Sequence, residues 1–378
     1  MSLQRTGSTH REKPLKALKL RFDYCDPSMH FRSYIRSMIP HDAAILYAVL
    51  AISTKHRELM TGLKGIEEAD EYERKCLEVL IPSLNDTDRA LQDAALASAL
   101  LLRLFEEMSV PIEQQTMSSH AVSAPILMQI KQGNIRSSGF SDAAMIVALR
   151  QEIFIANMTK QPVQPIIGYC SIDETLRPAS DAMWAYRMIA HAARVTTFVH
   201  STGGHDAGEW AKLWEYLRDW DRCKPDSFTP MYQSSTTRSP GPSTGEASSF
   251  PRIYYTYDCP AAAQQYLQIC RILLMGCIPP TCTQYSDEEA KSPGSREDKI
   301  REAVRIICGI SISNPEYVPA RLTAGLAVAL CGQHFTCPSE TKDLLRIVSE
   351  AELHLGWPCL KVSLTLRDIW GLHEFTLD

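Results

Sequence analysis

Apolar residues recur along this chain at the 3.6-residue period of an α-helix rather than at the two-residue period of a β-strand. A clear example begins at Asp42, continues to about Leu59 and is followed by Gly62 and Gly65. No β-hairpin signal and no fixed-period repeat accompanies this pattern. The sequence therefore predicts an all-α fold, either a large multi-helix bundle or a solenoid-like domain. Helices are predicted over residues 42–59, 67–79, 86 or 88 to 105, 118–131, 141–159, 180–200, 209–222, 260–277, 297–310, 319–330, 340–355 and 361–370.

Proline marks the predicted end of one of these helices, and low-complexity sequence divides the chain. Pro82 is expected to stop the helix that starts near Glu67. The stretch 234–249 consists almost wholly of Ser, Thr, Pro and Gly, which cannot bury enough surface to fold. The predicted organisation is a basic flexible tail at 1–21, an N-terminal helical half at 22–226, a disordered loop at 227–252, and a C-terminal helical half at 253–378 that packs on the first.

Charge and hydropathy exclude several classes of function. The chain has 378 residues, of which 45% are hydrophobic, and a formal net charge of −5 with acidic and basic residues interspersed. This balance is unlike that of a domain held on nucleic acid by a concentrated basic face. The apolar stretch 94–102 is too short to cross a membrane, and residues 1–16 contain no apolar signal region. We therefore expect a soluble intracellular protein with no membrane partner.

The twelve cysteines follow no metal or redox spacing, since no two of them are separated by two residues. Reduced cysteines in apolar helical patterns behave as small hydrophobic residues, so they are predicted to lie in the core. Cys331, His334 and Cys337 form only a loose group of potential ligands. The sequence also contains no known catalytic or nucleotide-binding motif. We expect no catalytic residue, no metal and no cofactor.

The segment 141–157 has apolar residues on every side of a helix, which predicts that this helix lies within the core. Arg150 and Glu152 should then be buried, and a buried charge needs a partner. They lie two residues apart, so each requires a partner from another helix. For Arg150 the predicted ion-pair partner is Glu106 or Glu107. The alternative is that Arg150 and Glu152 form a polar wall of an internal ligand pocket.

Three further residues are candidates for such a pocket. They are His191, Trp210 and Trp214, which join Arg150 and Glu152 in this hypothesis. Trp210, Trp214 and Trp220 share one face of the helix predicted over 209–222, where an aromatic stripe is more typical of core packing than of a ligand cage.

The order of these segments resembles the regulatory domain, called the fungal-specific transcription factor domain, of zinc-cluster regulators in the ARCA-like branch. The resemblance covers about residues 22–370, and its pieces are individually weak but jointly specific. They comprise Cys25-Asp-Pro27, Leu100-Leu-Leu-Arg-Leu-Phe-Glu-Glu107, the Trp210 helix with Lys224-Pro225, and residues 43–56, 72–82, 148–154, 184–187, 308–310, 331–332 and 356–358.

The resemblance implies a helical domain that regulates a linked DNA-binding module and contacts partners. Members of the family normally carry an N-terminal cluster of six cysteines that binds two zinc ions. Only Cys25 precedes residue 76 here, so we expect that module to be absent. Direct sequence-specific DNA contact by this chain alone is then not expected. The implied partners are other transcription regulators or a second copy of the chain, with a small-molecule effector as a further candidate.

Two main functional hypotheses follow. The first is a fungal transcription regulator located in the nucleus, with control of a secondary-metabolite gene cluster as one role. The second is a biosynthetic enzyme of the cyclase or isomerase type, located in the cytoplasm, that reuses the helical scaffold around an apolar pocket and so leaves no motif. A third is a structural remnant without activity. No sequence pattern identifies the target genes, the effector or substrate, or the oligomeric state.

Overall fold

Nearly all of the chain that the structure describes is helical, as the apolar periodicity predicts. The computed structural model describes residues 22–62, 67–84, 93–109, 139–163, 172–202, 204–234, 249–280, 294–357 and 359–372. Within these ranges the chain forms an all-α architecture with a single two-residue strand pair, which confirms the predicted fold class. The helices are α1 (His30–Met38), α2 (Ala43–Thr61), α3 (Glu68–Leu84), α4 (Asp93–Ser109), α5 (Gly139–Thr159), α6 (Asp181–His200), α7 (Ala207–Cys223), α8 (Asp258–Gly276), α9 (Arg296–Ser313), α10 (Val318–Cys331), α11 (Pro338–Leu355) and α12 (Leu360–Ile369).

The chain divides into two compact units, with a boundary inside α5. Unit 1 comprises Met1–Ala148 and Leu353–Pro358, and unit 2 comprises Leu149–Glu352 and Cys359–Asp378. The organisation predicted from the sequence, with halves at 22–226 and 253–378, stays a prediction. Its tail at 1–21 and residues 235–248 of its loop lie outside the described residues, as do the helix predicted at 118–131 and the caps predicted at Asp86 or Asp88.

Local signals determine the ends of α2 in unit 1. The Asp42 carboxylate accepts a hydrogen bond from the backbone N–H of Ile45 at 2.9 Å, as expected of an N-terminal cap. The helix ends at Gly62, whose φ of 66° is readily adopted only by glycine. α2 packs along α3 and α4, and the buried thiol of Cys76 on α3 donates to the carbonyl of Ala44 at 3.2 Å. The predicted boundaries of α2 are confirmed.

The prediction that Pro82 stops α3 is wrong, because the helix continues to Leu84 with Pro82 inside it. Proline removes one backbone donor, which would have bonded the carbonyl four residues earlier. The lost bond is the one to the Glu78 carbonyl, and only two more residues of α3 follow the proline. The Ser83 hydroxyl also donates to the Leu80 carbonyl at 2.7 Å. The last turn of α3 therefore tolerates the proline.

Helix α8 is the most buried helix of unit 2, and α6, α9 and α10 all pack against it. Its polar Gln265 is fully buried and donates through Nε2 to the carbonyls of Ile307 on α9 and Ala320 on α10, both at 3.0 Å. The Trp210 indole on α7 donates to the carbonyl of Leu274 at 3.0 Å, which links α7 to α8. Hydrogen bonds to backbone carbonyls thus accompany the apolar packing of unit 2.

A short antiparallel strand pair, which the sequence did not predict, joins β1 (Tyr232–Gln233) to β2 (Ile253–Tyr254). Two-residue strands are too short for an alternating pattern, and side chains of α9 and the residue that follows it supply the missing partners. The buried Asn314 donates to the Ile253 carbonyl at 2.8 Å and accepts from the Tyr255 N–H at 3.1 Å. Ser313 accepts from the Ile253 N–H at 2.9 Å. The segment therefore depends on α9 as much as on its strand partner.

Most of the described cysteines are buried, as predicted, but not all of them. The thiols of Cys223 and Cys337 are exposed, and Cys277 is half-buried; each of the three lies at or beyond a helix end. Cys170 and Cys282 lie outside the described residues. The other described cysteines are buried and confirm the prediction: Cys25, Cys76, Cys259, Cys270, Cys308, Cys331 and Cys359.

Among the described helices, none is by itself long and apolar enough to cross a membrane. Helices α1 and α2 reach the length and apolar composition of a membrane span only when taken together, and they are bent by 112° relative to each other.

Candidate functional site

A partly open cavity of about 510 Å³ lies along the seam between α6 and α7 in unit 2. Its volume is within the roughly 300–1,000 Å³ typical of small-molecule sites. Side chains spaced three or four residues apart on α6 form one wall, because that spacing places them on the same helix face. They are Arg187, His191, Arg194, Thr197, Phe198 and Ser201, the last directly after the helix.

The opposite wall comes from α7, whose first turns run back along α6 after a short connection. Its N-terminal cap is the Asp206 carboxylate, which accepts from the Glu209 N–H at 2.7 Å. This cap sets the register that brings Glu209, Lys212, Leu213 and Tyr216 to the cavity. The cavity is thus formed by a helical hairpin, together with Glu174 from the segment that precedes α6.

Arg187 closes the inner end of the cavity by holding the preceding segment against α6. Its side chain is 0% exposed and stacks on the Trp184 ring, 4.9 Å from the ring centroid. The guanidinium donates to the carbonyls of Asp173 at 2.7 Å and Arg177 at 2.8 Å, and to the Asp173 carboxylate at 3.0 Å. These bonds satisfy a charge that would otherwise be too costly to bury. The hydrogen bonds from Thr175 and Arg187 hold the pKa of Asp173 below its usual value.

His191 is the one sequence-predicted candidate that lines the cavity, and it is only 4% exposed. Burial lowers its pKa to about 3, the nearby Arg194 adds to this effect, and the Leu213 carbonyl opposes it. The imidazole is therefore neutral at physiological pH. Its Nε2 atom has no hydrogen-bond partner among the described residues, which is unusual for a buried polar atom.

Tyr216 and Glu174 form the wall beside His191. The Tyr216 ring packs against the imidazole with centroids 4.6 Å apart, and its hydroxyl donates to the Glu174 carbonyl at 3.2 Å. Burial, with a smaller effect of the Glu174 charge, raises the pKa of Tyr216 to about 12, so the phenol stays protonated. The Glu174 carboxylate forms an ion pair with Arg194. The charges of Glu174 and Arg194 therefore neutralise each other at the edge of the cavity.

The mouth of the cavity is more exposed than its inner end. Glu209 and Lys212 on α7 are exposed, as is Ser201. Phe198 is buried, while Leu213 and Thr197 are half-buried. The arrangement places an aromatic and aliphatic interior behind a charged rim, which is a common design of small-molecule sites.

The other predicted pocket residues lie elsewhere. Arg150 and Glu152 are on α5, where Glu152 is 4% exposed and Arg150 is only half-buried. Neither is among the residues that line the α6–α7 cavity. Glu106 and Glu107 are half-buried near the end of α4, and Glu107 lies 3.9 Å from the Nε atom of Arg103, four residues earlier. The ion pair of Arg150 with Glu106 or Glu107 stays a prediction.

Trp210 and Trp214 are on α7 but do not line the cavity. Trp210 is fully buried and stacks on the half-buried Trp214 with centroids 5.3 Å apart. Trp220 is also fully buried and donates to the Trp184 carbonyl at 3.1 Å. Core packing therefore accounts for Trp210 and Trp220, as the sequence indicated.

Sequence reasoning missed most of the residues that form the cavity. The available signal was the stripe Arg187, His191, Arg194 and Ser201, a line of polar residues along a helix that is otherwise largely apolar. Such a line is also typical of a solvent-exposed helix face, so it does not by itself predict a cavity. Within the described ranges, no group of three His, Cys, Asp or Glu side chains is arranged to hold a metal ion.

Comparison with known proteins places a family match in the other unit. Residues 23–144 match the model of the fungal specific transcription factor domain, about a third of the 378-residue chain. The match falls entirely within unit 1, whereas the α6–α7 cavity lies in unit 2. Searches of curated proteins and of solved structures each found no match.

Proposed function

We propose that this chain is a fungal transcription regulator. The observation that carries the proposal is the match of residues 23–144 to the fungal specific transcription factor domain. The order of motifs along residues 22–370 supports a finer assignment, to the ARCA-like branch of the zinc-cluster regulators. In this assignment the chain acts in the nucleus and controls genes of a secondary-metabolite cluster.

The proposed mode of action is contact with other proteins rather than with DNA. A formal net charge of −5 and interspersed charges offer no broad basic face to phosphates. The proposed partners are other transcription regulators or a second copy of this chain. Regulation then works by changing which of these contacts form.

A biosynthetic enzyme is the alternative, and the chemistry of the cavity bears on it. An efficient general acid or base has a pKa near the working pH. The pKa of about 3 at His191 leaves the imidazole almost wholly unprotonated at neutral pH and makes it a weak base. This property suits a neutral polar wall better than a proton-transfer group, which argues against His191 as the general acid or base of such an enzyme.

Gene replacement in the source fungus tests the proposal. One strain lacks the gene and a second carries His191→Gln, and transcripts and small metabolites are measured in both. The regulator proposal predicts that deletion changes transcripts of a defined gene set by about tenfold. It also predicts that a fluorescent fusion accumulates in nuclei.

The two hypotheses give different results in these strains. If the chain is an enzyme that uses His191, deletion and His191→Gln both leave transcripts unchanged, and the same intermediate accumulates. If the chain is a regulator, the accumulated compounds follow the changed transcripts. Unchanged transcripts together with conversion of an intermediate by the purified protein contradict the proposal.

A further inference from the structure

We propose that the cavity between α6 and α7 is a binding site for a small amphipathic organic anion, with an aromatic or short aliphatic body and one acidic group. The inference concerns binding alone and does not depend on the proposed function in transcription. It rests on the cavity volume, the character of its interior, the unpartnered polar atom buried in its wall and the lysine at its mouth.

The interior suits an apolar body. Phe198, Leu213 and the ring of Tyr216 supply aromatic and aliphatic surface to a cavity of about 510 Å³. The neutral imidazole of His191 adds a further planar surface without adding charge. Rings pack favourably on such surfaces, and burial of an apolar body in them displaces poorly bonded water.

The inner part of the site also contains a polar atom that could accept or donate a hydrogen bond. The Nε2 atom of His191 is buried and has no hydrogen-bond partner among the described residues. An unpaired buried polar atom carries a desolvation penalty, which a ligand hydroxyl or amide would remove after a small side-chain shift. The site therefore calls for a ligand with a polar group near its apolar end.

A cation at the mouth is available to an anionic group. Arg187 is already paired with Asp173, so the other charged side chains that line the cavity are Arg194, Lys212, Glu174 and Glu209. Glu174 is already paired with Arg194, while Lys212 is exposed at the mouth and forms no ion pair in the part of the chain described. An acidic group at the mouth would meet Lys212 first while the apolar body occupies the interior.

Two fluorescent probes of similar shape, one anionic and one neutral, test the preference for an anion. The purified full chain is titrated with 8-anilinonaphthalene-1-sulfonate, an aromatic anion, and with N-phenyl-1-naphthylamine, the same aromatic body without the sulfonate. The anion should bind more tightly. Lys212→Glu should weaken its binding about tenfold because it reverses a charge at the mouth, and Glu209→Gln should strengthen it about threefold because it removes a repulsion. Neither change should alter the Kd of the neutral probe by more than about twofold.

Lys342→Glu is the matched control, because Lys342 is an exposed lysine of the same unit and does not line the cavity. It makes the same change in net charge and should leave the Kd of both probes unchanged. Leu213→Trp should block both probes by filling the interior. If that variant fails to fold, as judged by circular dichroism, Ser201→Trp at the exposed mouth replaces it.

Three results would overturn the inference. One is equal weakening by Lys342→Glu and Lys212→Glu, which indicates nonspecific binding. Another is unchanged binding of both probes in the folded Trp variants. The third is binding of the cationic dye auramine O as tightly as the sulfonate, which contradicts a preference for anions.

Discussion

The two sides of α6 differ sharply in how they meet their neighbours. Toward α8 the helices pack closely along their length, and both carry buried alanines, including Ala192 and Ala193 on α6 and Ala261 and Ala262 on α8. Toward α7 the contact is sparser, and long side chains such as Arg194 and Lys212 line the cavity at this seam. Small side chains let helix axes approach, whereas long charged ones hold them apart. One helix can therefore complete a core on one face and form a cavity on the other.

The difference also concerns polar groups. In the closed region the amide nitrogens of Asn314 and Gln265 donate to backbone carbonyls, while the buried Oε1 atom of Gln265 has no partner among the described residues. Along the open seam, His191 retains an unpartnered Nε2 among the described residues. Of these two unpartnered atoms, the one of His191 belongs to a residue that lines a cavity. The following predictions test whether this contrast between a closed core and an open seam is real.

The largest effect is expected in the closed region at Gly309 on α9. A Cβ atom there would overlap the backbone carbonyl oxygen of Pro251, which cannot move aside as a flexible side chain would. Gly309→Ala should therefore lower the free energy of unfolding by about 3 kcal/mol or more. Gly276→Ala, at an exposed site with nothing within 4 Å of the added Cβ, is the control. Denaturant unfolding of both variants checks this, and equal stability would show that β2 is not held tightly on α9.

Phenylalanine truncation compares the two regions directly. Phe228 is fully buried and packs edge-on against Trp220, with centroids 5.6 Å apart. Phe198 is also buried but borders the cavity, so it has fewer atoms to lose contact with. We expect Phe228→Ala to cost about 3 kcal/mol and Phe198→Ala about 2 kcal/mol of unfolding free energy. Equal losses in calorimetric scans would mean that the seam is as closely packed as the core.

Substitution of two buried amide side chains compares how much each stabilises the closed region. Asn314→Leu leaves the Tyr255 N–H and the Ile253 carbonyl without their side-chain partner, and it should cost about 2 kcal/mol. Gln265→Leu should cost less than about 1 kcal/mol, because the carbonyls it contacts are in helices and already accept helical bonds. The Oε1 atom of Gln265 has no partner among the described residues, so its removal also relieves a penalty. Chemical denaturation measures both losses, and the reverse order would contradict this account.

The last prediction is a pH dependence of opposite sign in the two units. The folded-state pKa of His191 is about 3, below its ordinary value of 6.5, so its contribution to stability is complete above pH 6.5 and is lost as the pH falls toward 3. Burial raises the pKa of Asp23 in unit 1 to about 6, from 3.8, so its folded form is destabilised as the pH rises from about 4 to 6.

Two substitutions isolate these contributions. His191→Gln should reduce the fall in Tm between pH 6.5 and 4, and Asp23→Asn should reduce the loss of Tm between pH 4 and 6. Differential scanning fluorimetry across this range measures both slopes against the unmodified chain. Slopes that both change in the same direction would refute the assignment of opposite signs.

Much of the fold was predictable because its signals are local. Asp42 and Gly62 mark the ends of α2 through a cap and a left-handed turn, and Ser180 caps α6 in the same way, accepting from the Met183 N–H at 3.3 Å. Gly356, with φ of 64°, directly follows α11, whose predicted end was residue 355. These residues act on backbone within a few positions, so no knowledge of the tertiary structure is needed to interpret them.

The candidate site was much less predictable, because its residues acquire meaning only from the neighbouring helix. His191 was identified as a pocket candidate, but Arg187, Arg194 and Lys212 were not. Whether an arginine on a helix faces solvent, a loop or a cavity depends on helix pairing, which the periodicity does not specify. The strand pair at Tyr232–Gln233 and Ile253–Tyr254 was missed for the same reason, since its partners come from α9 and Asn314.

The three anchoring bonds of Arg187 have a consequence for how the site can diversify. Two of them go to main-chain oxygens, which every amino acid provides, and only one depends on the identity of a side chain, Asp173. Position 174 can therefore change its side chain while the anchor of its segment is retained. Related proteins could in this way exchange the group at the inner rim, and with it the preferred small molecule, without rebuilding the helical scaffold.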